Sequence, residues 1–432
     1  MLTDSMSVAL GSRSRFVRGV IGALSRFVRM LGPFYRVPLF ATAWCWRRVL
    51  WRTTFVAITG SVGKTTMKEA LARALAAAGP TVKSPGSANA GMALAKTILR
   101  VRPWHRFAVI EVGTGGPGAV GPSSRLVRPD VAVVLCVERQ HLMGFDSLDE
   151  IAVEKAQLLT GLRSGGVAVL NRDDSRVAAM EPPEGCSTLW FGRGEATDCR
   201  VLSNSSQWPD RLSLELQCQG ERLVVETELL GAHWERSIVA AVAAGVACGQ
   251  APVKIAQAMS GLPPTLGRMQ PVDLGDGATL VRDDINGSFV TLEKALGFLS
   301  EARCDRRIFI GSDITDLDNR SSRRRATLLG EMVAGSCDRA VFLGRHIERA
   351  KKGAISAGMA AESIHTAADW EEGGAVVREL LRPGDLLLLK GPVTQHLARL
   401  ALSLVGTVEC RQVGCGRTGE CDYCPHLGFR TG

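Results

Sequence analysis

One stretch constrains this chain more than any other. Phe55-Val56-Ala57-Ile58-Thr59 runs into Gly60-Ser61-Val62-Gly63, then Lys64-Thr65-Thr66, then a helical stretch from Met67 to Ala78. A β-prone apolar run, a glycine turn and a helix start, in that order, make an anion cradle. Backbone N–H groups converge on the anion and the helix dipole favours it. Lys64 adds a point charge, and the Thr65 hydroxyl is placed to meet Mg²⁺. The spacing is Gly60-x-x-Gly63-Lys64-Thr65, with Ile58 where the full P-loop pattern carries a further glycine. With a strand before it and a helix after it, the segment reads as a nucleoside triphosphate site built from Gly60, Ser61, Gly63, Lys64, Thr65 and Thr66.

At 432 residues the chain has material for two or three domains. Its net charge of +9 is unevenly placed. Residues 1–52 hold nine Arg and one acid, leaving 43 bases against 42 acids in the other 380 residues. Ser14-Arg15-Phe16-Val17-Arg18 returns as Ser25-Arg26-Phe27-Val28-Arg29, and Phe16, Val20, Leu24, Phe27 and Leu31 share one helical stripe. Phe34, Tyr35, Phe40, Trp44, Trp46 and Trp51 follow among more Arg. This basic amphipathic arm suits an anionic membrane surface; a helix docked on the protein's own body explains the stripe equally. No run is long enough to span a bilayer, and no signal-peptide pattern occurs. Nothing else reads as a nucleic-acid module, so no nucleic-acid partner is expected. Most of the twelve Cys are scattered singly in apolar runs, as at Cys136, Cys248 and Cys337, which fits reduced thiols and a cytoplasmic enzyme, peripheral on the inner membrane face if the arm binds lipid.

Beyond the P-loop, near-continuous apolar strands alternate with helices. Phe107–Val112, Asp130–Val137 and Val167–Asn171 read as buried parallel strands, and Leu148–Leu162 as a helix. Glu111, Glu138–His141 and Asn171–Asp174 then fall at strand carboxyl ends, where such sheets bind ligands. Alternation around Gln219-Gly220 marks an antiparallel hairpin, with a helix from Glu235 to Gly249 behind it. After a Pro263-Pro264 linker, strands near 279–283, 307–311, 339–343 and 385–389 make a second α/β unit. The fold class is α/β: a P-loop domain with a mostly parallel sheet and an antiparallel hairpin region, followed by a Rossmann-like domain. The expected divisions are the arm at 1–52, an ATP-binding domain at 53–265, the Rossmann-like domain at 266–408 and a cysteine-rich tail at 409–432.

Several stretches in register from about residue 53 to 405 resemble the Mur ligases, which carry a central ATPase domain and a C-terminal Rossmann-like domain. Thr59–Thr66 is similar to the family's phosphate loop. Glu111-Val112-Gly113 resembles its Mg²⁺-binding strand end, and His141-Leu142-x-Gly144-Phe145 its second-metal histidine motif. Lys155 falls where these enzymes carry a carbamylated lysine, a carboxylate mimic that binds the second Mg²⁺. Asn171-x-Asp173-Asp174 resembles the nucleotide motif at a strand end, and Gly267-Arg268-Met269-Gln270 the hinge whose arginine meets ATP phosphate. Asp283 and Asn286 are similar to the Asp-x-x-Asn run opening the last domain, Lys390-Gly391 to its final strand, and Asp313 and Asp316 loosely to a loop. The resemblance implies an ATP-dependent ligase that phosphorylates a carboxylate and lets an amine attack the acyl phosphate, with Lys64, Glu111, His141, Lys155 and Arg268 carrying the chemistry. Two Mg²⁺ ions on Thr65, Glu111, His141 and Lys155, with Lys64 and Arg268, suit the charge gathered at a transferring phosphoryl group.

Departures bear on the substrate. Only the basic arm precedes the P-loop, where the family carries a UDP-sugar domain. The family's Gly-x-His-Asn-x-x-Asn reads Gly231-Ala232-His233-Trp234-Glu235-Arg236-Ser237, without either asparagine. The resemblance therefore leaves three readings: a ligase acting on another acid, one that is membrane-linked; a ligase of peptidoglycan-precursor synthesis whose UDP-muramoyl site a protein partner supplies; or a nucleotide-binding scaffold. Retention of Glu111, His141 and Lys155 favours a ligase. In the tail, Cys410, Cys415, Cys421 and Cys424 have thiolates for a tetrahedral zinc site or an iron–sulfur cluster, or are free thiols.

Overall fold

The structure, a computed structural model, describes residues 36–139, 144–312, 314–315, 322–412, 415–417 and 419–431. The stripe read at 16–31, His141, Asp313 and Asp316 lie outside the described residues. A helix over 36–49 (α1) comes first. Then follow β1 (Thr54–Thr59), α2 (Lys64–Ala76), β2 (Thr81–Lys83), α3 (Gly91–Arg100), β3 (Phe107–Glu111), α4 (Val120–Val127), β4 (Val131–Val134), α5 (Leu148–Ala156), β5 (Val167–Asn171) and α6 (Ser175–Ala178). Strands β6 (Ser187–Gly192), β7 (Cys199–Ser205), β8 (Ser213–Cys218) and β9 (Glu221–Glu226) precede α7 (Glu235–Ala247) and α8 (Pro252–Met259). All nine strands form one sheet in the order β2-β3-β1-β4-β5-β6-β7-β8-β9. It is parallel as far as β7 and antiparallel through the β8–β9 hairpin.

Along β1 the side chains alternate between two cores. Val56 and Ile58 join α2, α7 and α8 on one face; Phe55 and Ala57 join α3 and α4 on the other. Burial on both faces explains why these strands read as unbroken apolar runs. Helix α1 crosses the edge where the strands begin. Its Ala43 and the following Leu50 enter the second core, and Trp46 Nε1 donates to Val101 O (2.8 Å) just past α3. Arg47 is 2% exposed and donates to Val127 O and Arg128 O (both 2.6 Å) at the end of α4. The part of the arm within 36–52 is therefore docked on the body.

A second sheet is built from β10 (Gln270–Gly275), β11 (Ala278–Asp283), α9 (Phe289–Glu301), β12 (Arg306–Gly311), α10 (Ser322–Ala334), β13 (Arg339–Leu343), α11 (Ile347–Ser356), β14 (Ile364–Ala367), α12 (Trp370–Leu380) and β15 (Asp385–Lys390). Its order is β10-β11-β15-β12-β13-β14, parallel except for β10. Helix α13 (Ala398–Ser403) leads into β16 (Gly406–Val408), which pairs antiparallel with β17 (Phe429–Thr431). The cysteine-rich tail is thus folded back. Val408 and Leu427 are buried in the core beneath Ile308, Leu387 and Leu389. No helix among the described residues is long and apolar enough to cross a membrane.

Two cysteines depart from the expectation of scattered thiols. Cys199 and Cys218 are directly opposite in the β7–β8 register, with Cα atoms 4.1 Å apart, and form a disulfide. The hairpin pairing, not sequence spacing, brings them together.

Candidate active site

The P-loop leaves β1 at Thr59 and enters α2 at Lys64, between the carboxyl ends of β3 and β4. Gly63 caps α2 at φ 84°, and a Cβ there would sit 2.6 Å from Ser237 Oγ. Only glycine fits both the conformation and the space. Lys64 Nζ curls back onto the loop, donating to Gly60 O (2.7 Å) and Ser61 O (3.0 Å). Burial lowers the Lys64 ammonium from its ordinary range, with the Glu111 carboxylate opposing. Beside it Thr65 Oγ1 donates to Glu111 Oε2 (3.0 Å), and Asn89 Nδ2 to Glu111 Oε1 (2.9 Å). Lys68, fully buried one turn after Lys64, has Nζ 3.9 Å from Glu111 Oε2 and donates to Gly86 O (2.6 Å). The sequence reading missed Lys68; a lysine on the buried side of α2 is the signal that could have found it.

Lys155 is 2% exposed on α5 and donates to Thr114 Oγ1 (3.3 Å). Burial, with Lys64 nearby, pushes its pKa down to about 7, so a large share of the amine is neutral at physiological pH.

The second sheet closes the site from the other side. Arg268 reaches across to Ser87 Oγ (3.2 Å). At the end of β11, Asp283 Oδ2 accepts from Lys390 Nζ of β15 (2.5 Å), which also donates to Asn286 O (2.5 Å). Burial lowers Lys390, and Asp283 opposes. A cavity of about 300 Å³ results, lined by the P-loop, Glu111, Arg268, Asp283, Asn286 and Thr291, among others.

The stretch that keeps the family's histidine at His233 but departs from it at Trp234 and Ser237 also faces this cavity. The rings of His233 and Trp234 meet at a tilt of 47° with centroids 4.5 Å apart, and Trp234 packs against the cores of both sheets. Burial, then Lys294 and Lys390, hold the His233 imidazole down to about 3, so it is neutral. Ser237, in place of the second asparagine, donates to Gly63 O (3.2 Å). Glu138 binds Arg236 of α7 (2.5 Å) and Lys294 of α9 (2.8 Å), tying the two sheets together. Burial raises its carboxyl, yet Lys294 and Arg236 together hold it below the usual range.

Asn171 and Asp174 stand apart from the phosphate loop, on a neighbouring hollow. Their side chains serve the backbone. Asn171 Nδ2 donates to Leu135 O (2.9 Å), and Asp174 accepts from Val137 N (2.7 Å) while capping α6 through Arg176 N and Val177 N.

The cradle fits a nucleoside triphosphate: the N-terminus of α2 behind Gly63 offers backbone N–H groups to an anion, and Lys64 is bonded only to loop carbonyls that a phosphate would replace. Thr65 and Glu111 are hard oxygen donors of the kind Mg²⁺ takes alongside substrate phosphates and water. The zinc alternative for the tail is not supported. Cys415 and Cys421 contact opposite ring nitrogens of His396 (3.0 and 3.3 Å), while Cys410 and Cys424 lie against Arg399 and Arg417. All four Cys line one hollow together with His396 and His426. No group of three or more His, Cys, Asp or Glu among the described residues is placed to hold a metal.

Residues 58–245 match the Mur ligase middle domain, and residues 267–393 match the Mur ligase glutamate ligase domain. The chain belongs to the Mur ligase family. The UDP-N-acetylmuramoyl-tripeptide–D-alanyl-D-alanine ligase of Mycobacterium tuberculosis is 28% identical over 392 residues, covering 86% of this chain and 77% of that one. The enzyme of the same name from Escherichia coli is 29% identical over 267 residues, 62% of this chain and 59% of that one. Among solved structures, MurF from Acinetobacter baumannii superimposes with a TM-score of 0.78 at 24% identity, covering 85% and 80% of the two chains. Folylpolyglutamate synthase from Mycobacterium tuberculosis, complexed with ADP, gives 0.67 at 16% identity, covering 88% and 98%. Like the family, this chain is an ATP- and Mg²⁺-dependent, amide-forming ligase.

Proposed function

We propose that this Mur ligase joins a peptide carboxylate of the peptidoglycan-precursor type to the amine of an amino acid or dipeptide. The supporting observation is the juxtaposition of two half-sites. The Lys64–Thr65–Glu111 cradle of the first sheet faces Arg268 and the Asp283–Lys390 pair of the second across one cavity. The names of its relatives support the substrate class.

Lys64 turns from the loop carbonyls to the transferring phosphate, and Arg268 from Ser87 to the same charge. The carboxylate oxygen attacks the γ-phosphorus and ADP leaves. The amine then attacks the acyl carbon, phosphate leaves, and the amine's proton passes to a base or to solvent. Mg²⁺ held by Thr65 and Glu111 neutralises phosphate charge when bound. A second ion would be held by His141 and by Lys155 as its carbamate. A lysine near pKa 7 suits that role, because only its neutral amine adds CO₂. His233 and Trp234 hold the base in place of the family's asparagine. The arginine-rich arm, residues 1–52, supports a place on an anionic membrane surface.

The test is ADP release from the purified chain with UDP-N-acetylmuramoyl-tripeptide and D-alanyl-D-alanine, and with other acid–amine pairs. Release that needs both partners and disappears in Lys64→Ala is expected. Turnover indifferent to every acid and amine would refute the ligase reading.

A further inference from the structure

Three of the eight Trp are exposed, and all three lie at the edge where the parallel strands begin: Trp44 (48%) on α1, Trp51 (66%) just before β1, and Trp104 (69%) in the loop leading to β3. Sequence separates Trp104 from the arm by some fifty residues; the Trp46 bond to Val101 brings its loop beside α1. Arg48 lies 3.2 Å over the Trp44 ring and Arg52 lies 4.7 Å over that of Trp51. Val37 and Val49 on α1 are also exposed, at 70% and 59%. Residues 36–52 and 91–106 together hold eight Lys or Arg and no Asp or Glu. Asp130 pairs with Arg47 and Arg163 on the inner side of α1, and the exposed aromatic rings set among the remaining cations match the chemistry of an anionic lipid interface, where Trp sits at headgroup level and Arg meets phosphate.

We infer that α1 and the loop before β3 form one lipid-docking face that grips an anionic membrane with the ATP cleft turned away from it. This rests on the membrane reading of the arm and adds a folded contact with a fixed orientation. The face lies where β1 and β3 start, and the P-loop and Glu111 lie where they end. Strands of five or six residues separate the two by about 20 Å. A docked enzyme therefore opens its site to the aqueous side, where ATP and a soluble acid reach it.

The test uses the full chain with phosphatidylglycerol–phosphatidylcholine vesicles, followed by co-sedimentation and by quenching of Trp emission with brominated lipid. Binding that weakens with salt and quenches emission is expected. The variant Trp44→Ser/Trp51→Ser/Trp104→Ser should bind about tenfold more weakly and lose the quenching, with ATP binding unchanged. If that variant binds as tightly as the wild type while removal of residues 1–34 abolishes binding, the inference fails and the membrane reading of the arm stands. No vesicle binding by the full chain refutes both. Preferential binding of single-stranded RNA, lost in the same variant, would assign the face to nucleic acid and overturn the proposal.

Discussion

Arg282 fastens the tail to the active-site strand, and removing its tail partner should release the tail. It is 2% exposed on β11, next to Asp283 but on the opposite face. Its guanidinium binds Asp284 through Nε and Nη2 (3.2 and 3.0 Å) and Asp422 of the tail through Nη1 and Nη2 (2.8 and 3.0 Å). Burial alone would lower the Arg282 pKa; the two carboxylates raise it instead. Breaking a buried ion pair by removing one partner costs about 3–5 kcal/mol. Asp422→Ala leaves Asp284 in place, so about 2–3 kcal/mol is expected, below that range. Arg282→Met strands two carboxylates together and should cost more. Because two packed sheets need not unfold in one step, the readout is amide hydrogen exchange in β16 and β17, where Val408 pairs with Phe429. A loss of about 2–3 kcal/mol corresponds to roughly 30- to 150-fold faster exchange there, with β1–β5 unchanged. Exchange unaltered by Asp422→Ala would show that Val408 and Leu427 hold the tail by packing alone, and would refute the ion-pair argument.

Three further outcomes are expected. Trp234→Ala should raise KM for ATP about tenfold with a smaller effect on kcat, because a base-holding contact is lost equally from ground and transition states; steady-state kinetics checks this. Glu138 has a lowered carboxyl pKa, so its contribution is present above the ordinary value of 4.5 and is lost as pH falls through the depressed one. Glu138→Gln should therefore lower Tm at neutral pH and flatten its decline on the acid side, read by thermal melts across pH. Lys155→Ala should lose ligase turnover and regain part of it with added formate or acetate, which restores an oxygen ligand. ADP release with and without the small acids tests this.

Much of the fold was legible because parallel strands buried on both faces write themselves as unbroken apolar runs. Phe55–Thr59, Phe107–Glu111 and Val167–Asn171 all stand out, and the second sheet's strands fall where their runs are. Short or edge strands were not legible: β2 has three residues and β14 four, too few for a period to declare itself. The helix expected over 148–162 stops at Ala156 and tightens into a 3₁₀ turn at Leu159–Gly161. In the site, Lys64, Thr65 and Glu111 were readable because chemistry and position coincide at strand ends and a helix start. Asn171 and Asp174 share that position, yet their polar atoms serve nearby backbone. Lys68 and the Glu138–Lys294 latch were hidden because their partners come from other elements. Cys199 and Cys218 could be paired only through strand register, and the contacts of Cys415 and Cys421 with His396 involve a residue that lies outside the tail.

The central claim is that this cavity makes an acyl phosphate. Supplying the acid substrate with its carboxylate labelled with ¹⁸O and analysing the released phosphate by mass spectrometry tests it directly. One ¹⁸O atom in each phosphate, formed with ADP and only when the amine is present, is the predicted result. Unlabelled phosphate, or release of AMP and pyrophosphate, would contradict it.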